Sequence, residues 1–218
     1  MRDIRKQPKE EPGPVVFIVD DDVSMREALT DLFRSMKFNV DAFESATAFL
    51  EAANFARAGC MLLDVRLPGV SGLDFQMQLE RTGCKMPIIF MTGYGDIPMS
   101  VRAMKAGAVD FLTKPFKDQD ILDAVSAAIE QDAARRRQDA KSEAVASLAE
   151  SLTRREREVM KAVVRGLMNK QIAYELGISE VTVKLHRGNV MRKMDVRSVA
   201  ELVRKAEMLG ANSGEPVS

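Results

Sequence analysis

The sequence predicts an α/β unit on a five-stranded parallel sheet, followed by a helical stretch and a smaller all-α unit of four helices. Three observations carry this. Five short apolar runs alternate with amphipathic stretches from Val15 to about Ile129. From Asp118 to about Glu150 the chain is rich in Ala, Arg, Glu and Gln and contains neither Gly nor Pro. The remainder is punctuated at Gly166 and Gly177 and carries thirteen Lys/Arg against seven Asp/Glu between Ser151 and Gly210.

The first fourteen residues, "MRDIRKQPKEEPGP", mix Lys, Glu, Pro and Gly without apolar periodicity and are expected to be a flexible lead-in. They lack the apolar block of a signal peptide, and no apolar run approaches the roughly 18 residues a membrane span needs, so a cytoplasmic protein with no membrane partner is expected. The five strand candidates are "VVFIV" (Val15 to Val19), "FNVDAF" (Phe38 to Phe43), "CMLLD" (Cys60 to Asp64), "PIIFMT" (Pro87 to Thr92) and "VDFLTK" (Val109 to Lys114). Between them lie helix-period segments such as "REALTDLFRSM" and "SVRAMKAG", the latter ending at Gly107. The long stretch starts amphipathic at Ile121, Val125 and Ile129 and then turns polar, as a last sheet-packing helix running into a helical linker would. The expected boundaries are 15–133 for the α/β unit, 134–150 for the linker, 151–210 for the helical unit and 211–218 for a disordered tail.

In an open parallel sheet, functional groups gather at the carboxyl ends of the strands. Here Asp20 and Asp21 follow the first run, Asp64 closes the third, Thr92 the fourth and Lys114 the fifth. Clustered carboxylates repel one another and burial raises the cost, so they need a counter-charge. A hard divalent cation supplies it, and Mg²⁺ is the expected one because it takes few carboxylates, keeps waters and favours phosphate oxygens. With Thr92 as donor and Lys114 as point charge, the set can hold a phosphoryl group beside one carboxylate. That carboxylate is expected to be Asp64, which leads singly into "VRLPGVSG", whose glycines let backbone amides approach an anion. Asp20 and Asp21 are left for the metal and Asp22 for capping the helix that begins near Val23.

Zinc or Cys/His nucleophile chemistry lacks parts. His186 is the one histidine, and Cys60 and Cys84 have no ligand spacing and are expected to be inert packing residues. In the helical unit, Asn169 to Leu176, a turn at Gly177 and an N-cap at Ser179 before a second helix make a helix-turn-helix. Ile172, Ala173, Leu176, Ile178, Val181, Val183, Val190 and Met194 are its apolar positions; Lys184, Arg187, Arg192 and Lys193 fall on or beside the solvent face of the second helix. An exposed basic helix after a turn suits a major groove. Charge alone admits a merely solvated basic surface equally well.

The motifs "VDDD", "LLDVRLPGVSG", "MTGYGD" and "FLTKPF" make Val15 to about Ala133 resemble the receiver domain of bacterial two-component response regulators, which has a flavodoxin-like fold. The resemblance implies that Asp64 accepts a phosphoryl group from a phosphohistidine on a partner sensor histidine kinase. Mg²⁺ would be held by Asp20, Asp64 and the backbone carbonyl of Arg66, with Asp21 acting largely through water. It also implies a cis peptide at Lys114-Pro115, switch roles for Thr92 and Phe111, and side chains at Arg66 and Tyr94 that overhang the phosphoryl group. Through "LTRREREVM", "GLMNKQIAYELGIS", "TVKLHRGNVMRKM" and "VRSVAELV", Ser151 to about Met208 resembles the LuxR-class DNA-binding domain. Together they are similar to NarL/FixJ-type regulators, with "TGYGDIPMSVRAMKAGAVDFLTKPF" pointing to the FixJ branch. The resemblance places Lys184, Leu185 and Gly188 toward bases and Asn169, Lys170, Thr182, Arg187 and Arg192 toward phosphates; His186 packs or faces a phosphate. Expected partners are the kinase, a double-stranded DNA operator, RNA polymerase and, on phosphorylation, a second copy joined through Ile97 to Gly107 and the last helix of the receiver. A magnesium-dependent phosphohydrolase leaves the helix-turn-helix unexplained, and an RNA-binding output would lack it; the expectation is therefore a transcription activator, not an enzyme, with at most slow self-dephosphorylation.

Overall fold

The computed structural model describes residues 13–54, 57–93 and 97–213. The chain divides into two compact units, Met1–Arg135 and Arg136–Ser218. In the first, β1 (Val15–Val19), α1 (Val23–Ser35), β2 (Asn39–Phe43), α2 (Ala46–Ala52), β3 (Gly59–Asp64), α3 (Gly72–Arg81), β4 (Ile88–Thr92), α4 (Ile97–Lys105) and β5 (Asp110–Thr113) alternate along the chain. α5 follows at Asp118–Glu150. The strands form one parallel sheet in the order β2-β1-β3-β4-β5. Order reverses at β1, so the crevice beyond its carboxyl end is where such a sheet offers a binding site.

The apolar runs become strands because β1, β3 and β4 are buried along their whole length. Parallel strands covered on both faces read as unbroken apolar runs rather than alternating ones. Side chains still alternate by face. Val15, Phe17, Val19, Met61 and Phe90 enter one core with Phe49 and Phe75, whereas Val16, Ile18, Leu62 and Ile89 enter the other with Leu29, Phe33 and Val125. Phe49 sits edge-on to Phe17, Phe43 and Phe75 with centroids 5.6, 5.3 and 5.9 Å away, the geometry that aromatic quadrupoles favour. β2 is the half-exposed edge. Register brings the strand ends level: Val19 lies beside Leu63, Asp64 beside Met91, and Thr92 beside Thr113.

Strand ends fall within one residue of the apolar runs, and α4 starts at Ile97, before the "SVRAMKAG" segment. Pro98 is accommodated there because the first helical turn needs no amide donor. Asp22 caps α1, accepting from the amides of Ser24 and Met25. Cys60 and Cys84 form no disulfide. Burial, and secondarily the nearby Asp132 carboxylate, pushes the Cys60 thiol up to about 12, so it stays protonated and inert.

Two close approaches hold β3 in place. The amide of Gly59 donates 3.0 Å to Asp132 Oδ2 on α5, a carboxylate only 1 % exposed that also pairs with Arg135. A Cβ on Gly59 would lie 1.9 Å from the Val15 carbonyl oxygen. At the other end of the strand, a Cβ on Gly72 would lie 2.5 Å from the Asp64 carbonyl oxygen, and the Gly72 amide donates to Val65 O at 2.9 Å. That glycine therefore seats α3 against the backbone of Asp64, and its own amide is taken up by Val65 O.

The second unit comprises α6 (Arg154–Val164), α7 (Asn169–Leu176), α8 (Glu180–Lys193) and α9 (Val199–Ser213). Val159, Ile172, Val183, Val190, Met194 and Leu202 form its core. Val145, from the stretch expected to be only a linker, is buried in this same core with Leu148 packed beside it. The tail also differs from expectation, because α9 runs through Ser213. Residues 214–218 and the lead-in residues 1–12 lie outside the described residues. Pro14 immediately precedes β1, and Gly13 O accepts from Asn39 Nδ2 at 3.1 Å.

Two residues of α8 are placed by packing that spacing alone does not show. Val181 is not in the core but 77 % exposed. Lys193 lies beside the solvent face, half-buried, where its Nζ donates to Glu156 Oε2 at 2.7 Å and to Ser151 O at 3.0 Å. Glu156 also completes a capping box, accepting from the Thr153 amide at 2.8 Å while Thr153 Oγ1 accepts from the Glu156 amide at 3.3 Å. The hydrogen bond from Lys193, then that from the Thr153 backbone, lowers the Glu156 carboxyl from 4.5 to about 2. A depressed carboxyl stabilises the fold fully above its ordinary value and loses that contribution as pH falls toward the folded value. Helix content followed by circular dichroism in urea should therefore show a stability loss between pH 4.5 and about 2 that Glu156→Gln flattens. Equal slopes for wild type and variant through that window would refute the assignment.

Candidate functional site

Within the first unit, the ends of β1, β3, β4 and β5 bring their polar residues together. Asp20 is fully buried and Asp64 is 8 % exposed. With the exposed Asp21 they form a cluster whose ligand oxygens all lie within 4.8 Å of one another. Lys114 extends between the two buried carboxylates, 2.6 Å from Asp20 Oδ2 and 3.4 Å from Asp64 Oδ2. Asp20 is held further by the Asp22 amide on Oδ1 at 3.0 Å, and its carbonyl accepts from Arg26 Nη1 at 2.7 Å. The Arg66 amide approaches Asp64 Oδ1 at 3.4 Å.

Burial is the main cause that raises the Asp64 carboxyl above its ordinary value; Lys114 opposes it and Asp20 adds to it. One lysine shared between two buried carboxylates leaves net negative charge. A set of hard oxygens, two buried and one exposed, fits a small dication that binds few carboxylates and retains waters. Thr92 is buried at the same edge, and its carbonyl accepts from the Lys114 amide at 2.6 Å. Lys114-Pro115 is a cis peptide. Phe111 lies half-buried on β5 with its ring tilted 46° to Phe90 at 6.4 Å. Tyr94, the second expected overhanging residue, lies outside the described residues; Arg66 is exposed.

Within the second unit, Ser179 caps α8 as expected, accepting from the Thr182 amide at 3.1 Å. Gly177 ends α7 at φ 64°, in the left-handed region that glycine enters without strain. Val183 and Val190 point to the core, which leaves Lys184, Leu185, Gly188 and Arg192 on the exposed side. Lys170 is exposed on α7, whereas Asn169, Thr182 and Arg187 are half-buried. Arg187 Nη1 donates to Asn169 Oδ1 at 2.8 Å, tying α8 to the start of α7. His186 is half-buried and its Nδ1 has no partner among the described residues.

Sequence reading missed Asp132, Arg26 and Glu156. Asp132 continues the buried row Ile121, Val125 and Ala128 at helical spacing, and Thr153 to Glu156 has capping-box spacing, so both carried a signal. Arg26 carried none, because its contact is with a carbonyl brought close by the turn. Among the described residues no helix is long and apolar enough to cross a membrane.

Two family descriptions match in the order of the units: the response regulator receiver domain over residues 16–126, and bacterial regulatory proteins of the luxR family over 150–206. Nodulation protein W of Bradyrhizobium diazoefficiens is 55 % identical over 199 residues, covering 91 % of this chain and 88 % of that protein. The transcriptional regulatory protein FixJ of Azorhizobium caulinodans is 47 % identical over 196 residues, covering 89 % and 92 %. Among solved structures, that of the response regulator StyR matches with a TM-score of 0.80 at 51 % identity, covering 89 % of this chain and 98 % of StyR. An acidic crevice on a five-stranded parallel sheet, then a capped helix-turn-helix, matched over about nine-tenths of the chain by these relatives, place the chain among the NarL/FixJ-type response regulators, with a receiver domain followed by a LuxR-type DNA-binding domain.

Proposed function

We propose that Asp64 is the phosphoacceptor through which a partner sensor histidine kinase controls this regulator. The observation that carries the reading is Lys114 poised between Asp20 and Asp64 at one buried strand edge. An Asp64 oxygen forms a bond to phosphorus as the phosphorus–nitrogen bond of a phosphohistidine breaks. Positioning and charge neutralisation supply most of what such a transfer needs. Lys114 compensates charge on the phosphoryl oxygens and Thr92 supplies a hydroxyl donor. Asp20, Asp21, Asp64 and the Arg66 carbonyl would hold Mg²⁺, which supplies Lewis-acid neutralisation of the phosphoryl oxygens. Arg66, and Tyr94 by its sequence position, limit water access, so self-dephosphorylation is slow.

The phosphorylated protein dimerises through the face from Ile97 to Gly107 and the receiver part of α5, and two DNA-binding domains then engage two half-sites of an operator. Linked binding exceeds either contact alone. The output is activation through RNA polymerase in the cytoplasm. Sedimentation with Mg²⁺ and acetyl phosphate should convert monomer to dimer. If intact-mass spectrometry finds the phosphoryl group while the sedimenting mass stays that of a monomer, the acceptor stands and the dimerisation step is wrong.

Lys184, Leu185 and Gly188 face bases, and Asn169, Lys170, Thr182, Arg187 and Arg192 face phosphates. Lys184→Ala should weaken operator binding by about 1–3 kcal/mol and relax sequence preference at one position. An unchanged affinity ranking across operator variants would remove Lys184 from the base-reading set.

A further inference from the structure

We infer that Val181 acts with Leu185 as an apolar pair reading thymine 5-methyl groups in duplex DNA. The inference rests on α8 being the helix that enters the major groove. Val181 is 77 % exposed and Leu185 64 % exposed, one helical turn apart on the same side. Both lie opposite Val183, Val190 and Met194, which are at most 1 % exposed, so neither can turn into the core without unseating that row. They are surface residues by geometry, not by loose packing.

The N-cap puts Val181 in the first turn of α8, the end of a recognition helix that meets base edges. That turn is pinned: Ser179 Oγ accepts from the Thr182 amide at 3.1 Å and meets Thr182 Oγ1 at 2.8 Å. Gly188 continues the same side, and a Cβ there would meet nothing within 4 Å, so a groove wall can approach the backbone beside Leu185. Lys184 and Arg192 flank the pair. A second copy of this surface would set those cations against one another, whereas the polyanionic groove attracts them. Within the major groove, the apolar group on the base edges is the thymine methyl. Val181 and Leu185 therefore select T at two positions of a half-site beside the base that Lys184 reads.

The test begins with sites selected by the full-length, acetyl-phosphate-treated protein from a random duplex library. Each enriched thymine is then replaced by deoxyuridine, which removes only the methyl group. Wild type should bind roughly four-fold more weakly per replacement at two positions, the equivalent of about 0.8 kcal/mol for one buried carbon. Val181→Ala should be insensitive to one replacement and Leu185→Ala to the other, the coupling expected of groups in contact. Specific binding that ignores deoxyuridine overturns the methyl-reading pair and leaves the DNA-binding reading intact. No enriched sequence at all overturns both.

Discussion

Asp64→Asn is expected to gain no phosphoryl group from acetyl phosphate and Mg²⁺, while melting at a higher temperature than wild type in chelator. The two results have one cause. Asp64 sits in a crevice where burial, reinforced by Asp20, disfavours its charge, and Lys114, already 2.6 Å from Asp20, compensates only partly. A carboxyl whose folded value is raised binds its proton more tightly in the native state, so stability falls as pH rises above 3.8 and the penalty is complete once pH passes the folded value. Asparagine keeps the shape and removes the charge together with the nucleophilic oxygen. Intact-mass spectrometry and a thermal melt at neutral pH read the two effects separately. A variant that still takes up phosphate would move the acceptor elsewhere; one that melts lower than wild type would show that the attraction to Lys114 outweighs the crowding.

The second large effect is structural. Gly59→Ala should destabilise the receiver domain by at least about 3 kcal/mol, because the new methyl would lie 1.9 Å from the Val15 carbonyl oxygen, and backbone cannot swing aside as a side chain can. Relief requires β1 and β3 to separate at their amino ends, which also strains the Gly59 amide contact with Asp132. Those two strands carry Asp20 and Asp64 at their other ends, so the variant should lose phosphorylation along with stability. Urea unfolding followed by circular dichroism should show an early transition for the receiver domain and an unchanged one for the helical domain. A single transition at the wild-type midpoint would refute the steric account.

Why some of this was legible in the sequence and some was not follows from how each contact is made. β1, β3 and β4 announce themselves because burial on both faces leaves an unbroken apolar run, and Asp20, Asp64 and Thr92 stand where those runs end, with Lys114 after β5. Asp22 and Ser179 act within two or three residues of themselves, the range over which spacing is informative. Asp132 continues a buried helical row, but its partner is a backbone amide 73 residues away, and no local pattern shows that pairing. The outward place of Val181 was not legible because a valine between Glu180 and Thr182 looks the same whether it faces a core or a groove; only the packing of Val183 and Val190 turns it outward. Val145 was hidden because it follows the polar run "QDAARRRQDAKSE" with no earlier apolar residue in helical register to mark a face, although it is buried with Leu148 packed beside it.

Lys114 has a further consequence for how the chain comes into being. Its ammonium sits in the crevice as part of the polypeptide, so the sheet carries an internal counter-ion from the moment β5 pairs with β4. Completion of the fold and arrival of a cation are then separate events. A newly made chain can mature and persist whatever the magnesium supply at the time, and a chelator should silence the crevice without unfolding the domain that holds it.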